Sequence, residues 1–126
     1  MKQDHYTGVN FAFMLDLRAC EALKAGQRDD AITDHTLAQR MRKDVLQLAG
    51  AHLERLGDDG GGEERYWVLA SLWEAALGVG DVATMARWEA KLRTMKAADW
   101  MSDTWQAQGR RLHALLDEYG VLSKEA

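Results

Sequence analysis

The sequence predicts an all-α protein with about five antiparallel helices in a single domain. The 126 residues contain no proline, although average usage of roughly 5% would give about six. Residues that favour helices, chiefly alanine, leucine, glutamate and arginine, are plentiful. Apolar residues recur at three- and four-residue steps through most of the chain, as they do on one face of a helix. Since 47% of the residues are apolar, we expect residues 1–126 to share one core.

The strongest helical signal lies in residues 63–96, which predict two amphipathic helices folded back on each other. Gly80 can adopt the left-handed conformation that ends a helix, and Asp81 can accept hydrogen bonds from the amides that begin the next one. The apolar positions are Leu69, Leu72 or Trp73, Ala76 and Val79 before this turn, and Val82, Met85, Trp88 or Glu89, Leu92 and Met95 after it. These two stripes are expected to face each other.

Two helices are predicted before this hairpin. Residues 1–6 are polar and are expected to fray, Thr7 is predicted to cap a helix over about residues 8–25, and Gly26 is predicted to end it. The second helix is expected to start with Asp30 or Thr33 as its cap and to end near Leu56. Its apolar stripe is Leu37, Met41, Val45, Leu48, His52 or Leu53, and Leu56. This spacing is of heptad type and places Arg40, Arg42, Lys43 and Asp44 on solvated faces.

The glycine-rich residues 57–62 are expected to form a flexible loop between the second and third helices. We do not interpret this loop as a domain boundary, because the residues before it carry too few large apolar groups to fold alone. A fifth helix is expected to begin with Asp99 or Ser102 as its cap and to end at Gly120. Its apolar positions are Met101, Trp105, Leu112, Leu116 and Tyr119.

Composition argues against several classes of partner. A net charge of −4 and a pI near 5.5 give no long-range attraction for phosphate backbones, so no nucleic-acid partner is expected. The longest apolar stretches are too short and too polar for a bilayer, and no signal peptide is recognisable, so we expect a cytoplasmic protein without a membrane partner. The single cysteine, Cys20, is interpreted as a buried small apolar residue.

All five tryptophans fall between residues 67 and 105. Large rings fill the space between helices, so Trp73 and Trp105 are predicted to lie in the core. Trp67 and Trp88 lie beside alternative faces of their helices, and either is a candidate for an exposed anchor in a partner's groove.

No motif of a catalytic or metal site is found. Glu74 is the only acid in the apolar stretch 68–79, where a carboxylate needs a partner or a raised pKa. A structural ion pair, for example with Arg18 or Arg87, is favoured over a catalytic acid because no second acid or histidine accompanies Glu74. The four histidines lack paired ligand spacing, and the glycine run lacks the lysine of a phosphate loop. We therefore expect no metal, no cofactor and no enzyme activity.

Two segments resemble a known family. They are residues 5–15, HYTGVNFAFML, and residues 66–77, YWVLASLWEAAL, which lead into Gly80-Asp81. They are similar to the tetratricopeptide-like TRAF-binding region of the apoptosis signal-regulating kinases and its bacterial relatives, over about residues 5–92. The chain departs from that pattern at Phe11 and Phe13, where small residues are usual, and it lacks the terminal proline and the small helix-contact residue of a regular repeat. The resemblance implies a non-catalytic scaffold built from helical hairpins, without implying a TRAF partner.

The sequence thus predicts a protein-interaction or scaffold domain of tetratricopeptide-like type, with a bacterial signalling context suggested by the resemblance. Self-association is expected because the first helix carries more apolar residues than one narrow stripe needs. Phe11 or Phe13 is the expected contact, with Trp67 or Trp88 as the alternative anchor. Thr7, Asn10 and Glu74 are the candidate polar residues of the fold motif, tying the first and third helices. The alternative is a small-ligand-binding or hydrolytic helical bundle, which a closed pocket with Glu74 and a nearby histidine would indicate.

Overall fold

The computed structural model describes residues 4–57 and 62–125, and within them side chains from Tyr6 to Lys124. Five helices occupy this part of the chain: α1 Asp4–Lys24, α2 Arg28–Leu56, α3 Gly62–Val79, α4 Val82–Thr94 and α5 Asp99–Glu125. No strand occurs in the described ranges. The predicted all-α class is confirmed.

Two predicted helix starts are wrong. Helix α1 already includes residues 4–6, so Thr7 is helical and is not a cap, while the predicted fraying of residues 1–3 lies outside the described residues. The next turn of α1 is held by packing, because Gly8 is buried against Val45. Helix α2 starts at Arg28, which places Asp30 and Thr33 inside its first turns. An acidic first turn interacts favourably with the helix dipole without any side-chain cap.

The predicted start and end of the fifth helix also differ from the structure. Asp99 is the first helical residue of α5, so neither it nor Ser102 is a cap, and α5 continues through Gly120 to Glu125. Contacts with other helices hold this last stretch: Glu118 pairs with Lys24 of α1, and Arg28 of α2 donates to the Ser123 carbonyl. A glycine weakens a helix without necessarily ending it. These contacts on both sides of Gly120 keep the chain helical. The predicted loop is bounded by Gly57 and by α3, which begins at Gly62, and residues 58–61 are outside the described ranges.

The predicted hairpin between α3 and α4 is confirmed, although Val82 of its predicted apolar stripe is 69% exposed. Gly80 has a φ of 79°, and the Asp81 amide donates to the Ala76 carbonyl at 3.0 Å, as in a Schellman motif. The Asp81 carboxylate accepts hydrogen bonds from the Thr84 amide at 3.1 Å and from the Thr84 hydroxyl at 2.7 Å. These bonds stop α3 and start α4 within two residues.

Neighbouring helices along the chain are antiparallel, and α1, α3 and α5 run in the same direction. Trp105 bonds Tyr66 and, further along both helices, Gln108 bonds Glu74, which fixes the parallel course of α5 and α3. Helix α3 contacts all four other helices, and α1 contacts α5 as well as α2 and α3. In an open repeat array each unit contacts only its neighbours, whereas here the first and last helices meet and close the bundle.

The main core surrounds α3, whose side chains are buried on nearly every side from Tyr66 to Ala76. Trp73 and Trp105 lie in this core with rings 4.9 Å apart, as predicted. Cys20 is also buried, as predicted, and its thiol donates to the Leu115 carbonyl at 3.6 Å. Burial raises the pKa of this thiol to about 11, so it stays protonated at neutral pH.

The buried face of α2 includes Val45 and Leu53 of the predicted stripe but otherwise differs from it. Leu37 and Leu48 are 42% and 56% exposed. The buried residues of α2 are Ala31, Asp34, Ala38, Arg42, Val45, Ala49 and Leu53. Small alanines on this face let α1 approach closely, and longer leucines there would hold the two helices apart. The predicted solvent position of Arg42 is wrong, since only 1% of this residue is exposed.

Candidate functional site

A buried ion pair joins α1 to α2. Arg42 donates to Asp16 at 2.5 Å, and the second carboxylate oxygen of Asp16 lies 2.6 Å from Nδ1 of His35. Asp16 is fully buried, and the His35 ring stacks on Tyr119 of α5 at a centroid distance of 4.3 Å. Because a buried charge is costly unless it is paired, this cluster fixes the relative positions of three helices.

Arg42 also reaches α3, where it lies across Gly78. A Cβ atom at position 78 would overlap the arginine side chain, and Gln39, three residues before Arg42, donates to the Gly78 carbonyl at 2.8 Å. Within the described residues, Nη2 of Arg42 is buried without a hydrogen-bond acceptor. We interpret this cluster as a structural contact that joins α1, α2, α3 and α5, since it borders none of the described cavities. Local sequence patterns do not predict this ion pair, because its two charges are 26 residues apart.

A cavity of about 270 Å³ lies between the three parallel helices α1, α3 and α5. We call it the Glu74 cavity. Its lining includes Tyr6, Trp67, Ser71, Glu74, Trp105 and Gln108. Trp105 is fixed by a 2.6 Å hydrogen bond from its indole nitrogen to the Tyr66 hydroxyl, so this wall of the cavity is rigid.

Glu74 is the one acidic residue among the cavity's lining side chains that the structure describes, and it is only 8% exposed. It accepts one long hydrogen bond, 3.4 Å, from the Gln108 amide, and Gln108 in turn accepts from Arg111 at 2.7 Å. Burial raises the pKa of Glu74 to about 7, and the Gln108 bond and the charges of Arg42 and Arg111 only partly oppose this rise. The carboxyl is therefore close to half ionised at neutral pH.

The predicted partners of Glu74 are wrong. Arg18 instead pairs with Asp34 of α2 through two bonds of 2.8 Å, and Arg87 lies over the Trp88 ring at 4.6 Å. Asn10 borders the Glu74 cavity, but its exposed side chain makes no described hydrogen bond with Glu74, so the expected polar tie between α1 and α3 is not formed by this pair. Glu74 is instead bonded by Gln108 of α5, a residue that was not predicted as its partner.

The Glu74 cavity bears on the alternative function, for which a closed pocket with Glu74 and a nearby histidine is expected. Glu74 does line a cavity, as the ligand-binding alternative requires. The described lining residues include no histidine, so the second group expected for a hydrolytic site is not found there.

A second candidate surface is the side of α1 that faces away from the other helices. Its centre is apolar, with Phe11 53%, Met14 58% and Leu17 37% exposed. Its ends are polar and are formed by exposed Thr7, Asn10, Arg18 and Glu21. We call these seven residues the outer face of α1. Phe13 is partly buried and lies two residues from Phe11, on the opposite side of the helix, so the two phenylalanines do not share a surface.

The predicted tryptophan anchors differ in exposure. Trp88 is only 8% exposed, in the core with Leu92, so it is not the exposed anchor for which it was a candidate. Its ring is covered by its own neighbours, with Arg87 and Lys91 above it. Trp67 is partly buried at the mouth of the Glu74 cavity. The exposed indole is that of Trp100, 62% exposed, which lies 6.2 Å from the Trp67 ring and which the sequence analysis did not select.

Two further features of the described residues bear on the kind of site. No group of three or more histidine, cysteine, aspartate or glutamate side chains among them is placed to hold a metal ion. No helix in the described ranges is both long enough and apolar enough to cross a bilayer.

The described residues thus define an all-α bundle whose first and last helices are in contact, with a cavity between three parallel helices. Comparison of the chain with family models, with curated proteins and with solved structures finds no match. The likeness to the TRAF-binding region therefore stays a prediction that rests on the two segments quoted above.

Proposed function

We propose that this chain is a non-catalytic, cytoplasmic protein-interaction domain that pairs with a second copy of itself through the outer face of α1. One observation carries the proposal: three consecutive positions of a helical stripe, Phe11, Met14 and Leu17, are exposed together. Because about half of each side chain remains in water, each loses roughly 1 kcal/mol of hydrophobic stabilisation. Contiguous apolar surface of this kind marks protein-interaction sites.

The order of residues on this face favours a second copy as the occupant. Two α1 helices that cross antiparallel about a two-fold axis at Met14 place Phe11 of each copy opposite Leu17 of the other. The same symmetry places Thr7 opposite Glu21 and Asn10 opposite Arg18, so each charged side chain meets a neutral polar one. No like charges are brought together, which is the requirement for an isologous contact.

The charge at the edge of this face also supports the symmetric contact. Arg18 is held by Asp34 of its own α2, with its two hydrogen bonds already formed in the single chain. Its position is therefore preorganised, and its remaining donors can reach a neutral acceptor such as an asparagine amide without losing the ion pair. A scaffold that presents two copies of the same domain would agree with what the family resemblance implies, including a role in bacterial signalling.

Sedimentation velocity of the purified chain tests the proposal. At tens of micromolar we expect a mass of twice the 14.2 kDa of one chain. The substitution Met14→Glu places a charge on the proposed two-fold axis, opposite its own copy, and is expected to give a monomer. The matched control is Val82→Glu, which adds the same charge at a side chain 69% exposed at the start of α4 and should leave the dimer intact.

Two results would overturn the proposal. The first is a wild-type chain that sediments as a monomer at hundreds of micromolar. The second is a dimer that Met14→Glu and Phe11→Glu leave unchanged, since the contact would then lie elsewhere. Far-ultraviolet circular dichroism of each variant shows whether the helices are retained.

A further inference from the structure

We infer that the Glu74 cavity is a binding site for a small organic amine, held by its ammonium group at Glu74 and by its apolar body between Trp67 and Trp105. This inference does not depend on the proposed dimer, because the cavity lies among α1, α3 and α5 and the dimer contact is on the outer face of α1. Only Asn10 borders both surfaces.

The Glu74 carboxylate is the first feature that indicates an amine as the ligand. Glu74 is more than nine-tenths buried, lines the cavity and accepts a single long bond of 3.4 Å from a neutral amide. A carboxylate has about four acceptor positions, so most of its hydrogen-bonding capacity is unused in the described contacts. An ammonium group offers three donors and a positive charge, which supply what the buried carboxylate lacks.

The apolar walls of the cavity are the second feature that indicates such a ligand. Trp67 and Trp105 present indole rings to it, and Val9 and Ala70 add further apolar surface. Indole faces attract cations and stack on flat apolar groups. The volume of about 270 Å³ is near the lower limit for pockets that enclose small ligands. The ligand is therefore expected to be an amine with a single ring or a short aliphatic body.

The other charged groups near the cavity are compatible with an ammonium group at Glu74. Arg111 of α5 is exposed and is engaged by Gln108 at 2.7 Å, and Arg42 of α2 is engaged by Asp16 of α1. Each guanidinium group has a partner of its own, and their charges only partly oppose the rise in the pKa of Glu74. Tyr6 of α1 is the other titratable group on the lining, and it is half exposed at the rim. No described cation of the lining forms an ion pair with Glu74.

Binding is expected to depend on pH because the ammonium group binds the ionised carboxylate. The pKa of Glu74 lies at about 7, so the carboxyl is increasingly protonated below this pH and the affinity should fall. Between pH 8 and pH 6 we expect a loss of about tenfold, since each unit below the pKa removes about nine-tenths of the ionised form. An amine of pKa above 9 keeps its own charge over this range.

Isothermal titration calorimetry with phenethylamine, using 2-phenylethanol as the uncharged analogue of the same shape, tests the inference. Phenethylamine is expected to bind at least tenfold more tightly than the alcohol at pH 8. Glu74→Gln should abolish this preference and its pH dependence, whereas Glu54→Gln, an exposed position on α2, should change neither. A second variant, Thr104→Trp, adds bulk at an exposed position of the cavity rim and should weaken binding of both compounds.

Three results would overturn the inference. They are equal binding of the amine and the alcohol, wild-type affinity in Glu74→Gln, and no binding of either compound at millimolar concentration. Quenching of tryptophan fluorescence provides an independent signal, since two of the cavity walls are indole rings. Circular dichroism of each variant confirms that the helices are retained.

Discussion

Arg42 shows how strongly the environment of one residue depends on residues distant in the chain. It stands in a charged stretch of α2 with Arg40 and Lys43, both of which are exposed, and nothing in the local sequence distinguishes it from them. Its burial depends on the Asp16 carboxylate of α1 and on the absence of a side chain at Gly78 of α3. Removal of either partner of such a buried pair typically costs about 3 to 5 kcal/mol, because the remaining charge is left without compensation.

Gly78 gives the most direct test of this arrangement. In Gly78→Ala the new methyl group meets the Arg42 side chain, which Asp16 holds in place, so we expect a loss of about 1 to 3 kcal/mol in the free energy of unfolding. The matched control is Gly50→Ala in α2, where a Cβ atom meets nothing within 4 Å. There the higher helix propensity of alanine should add up to about 1 kcal/mol. Urea denaturation of the two variants measures both effects.

Comparison of the two alanine substitutions therefore distinguishes the effect of packing on stability from that of helix propensity. Equal gains in stability from Gly78→Ala and Gly50→Ala would contradict the close contact between Arg42 and α3. Gly109 is a third position of the same kind, because a Cβ atom there would overlap the Trp73 ring. Helical glycines in this chain thus include sites of close approach between helices.

At the scale of the elements, the α3–α4 hairpin is determined almost entirely by local residues. Gly80 adopts the left-handed conformation, and the Asp81 carboxylate accepts from the free Thr84 amide in the first turn of α4. The Thr84 hydroxyl and then the Thr84 amide hold the pKa of Asp81 below its usual value, since both donate to the ionised carboxylate. These contacts span three residues, which is why they are predictable from the sequence.

Loss of this cap should be measurable. We expect Asp81→Ala to lower the free energy of unfolding by about 1 kcal/mol, the usual cost of removing an N-cap side chain. Asp44→Ala is the control, because Asp44 is exposed in the interior of α2 and alanine is the better helix former there. Thermal unfolding followed by circular dichroism distinguishes them. An equal effect of both substitutions would show that the cap adds nothing.

Helices α1 and α2 show where local pattern does not determine the buried face. The apolar positions of α2 form one stripe by spacing, but the face in contact with α1 carries alanines, Asp34 and Arg42. Asp34 accepts hydrogen bonds from Arg18 of α1 on this face, and these bonds hold the pKa of Asp34 below its usual value. Close approach of two long helices favours small residues at the contact, whereas hydropathy alone favours the leucines.

At the scale of the whole molecule, the packing of α1 and α5 against α3 creates the Glu74 cavity and raises the pKa of Glu74. The folded protein holds the proton up to about pH 7, whereas the unfolded chain releases it near the ordinary value of 4.5. The unfolded state therefore binds fewer protons between these values, and stability falls as pH rises. The contribution of this group is fully present below pH 4.5 and is lost as pH rises through 7.

We expect this loss to reach roughly 2 to 3 kcal/mol between pH 5 and pH 8. Glu74→Gln cannot ionise, so its free energy of unfolding should gain about that amount relative to wild type over the same interval. Urea denaturation at the two pH values measures the difference. Parallel pH profiles of the two proteins would contradict the burial of an ionisable carboxyl in the cavity.

The sequence by itself determined the features that depend on neighbours along the chain. The absence of proline and the helical periodicity gave the all-α class, and Gly80 with Asp81 gave the hairpin. Ring size placed Trp73 and Trp105 in the core, and the apolar surroundings of Glu74 identified it as the unusual acid of α3. In each case the evidence lies within one or two turns of helix, where propensity and side-chain size decide the outcome.

Only the tertiary structure decided which helix faces are buried and which groups meet. In the folded protein Arg42 is buried against Asp16 and Trp88 is covered, whereas Trp100 is exposed. Phe11 is also exposed, while Phe13 is partly buried. The tertiary structure also replaced the expected arginine partner of Glu74 by Gln108, from a helix 34 residues further along the chain. A helix with apolar residues on several sides can be packed in more than one rotation. The choice among these rotations depends on the combined packing of all five helices, which no single segment specifies.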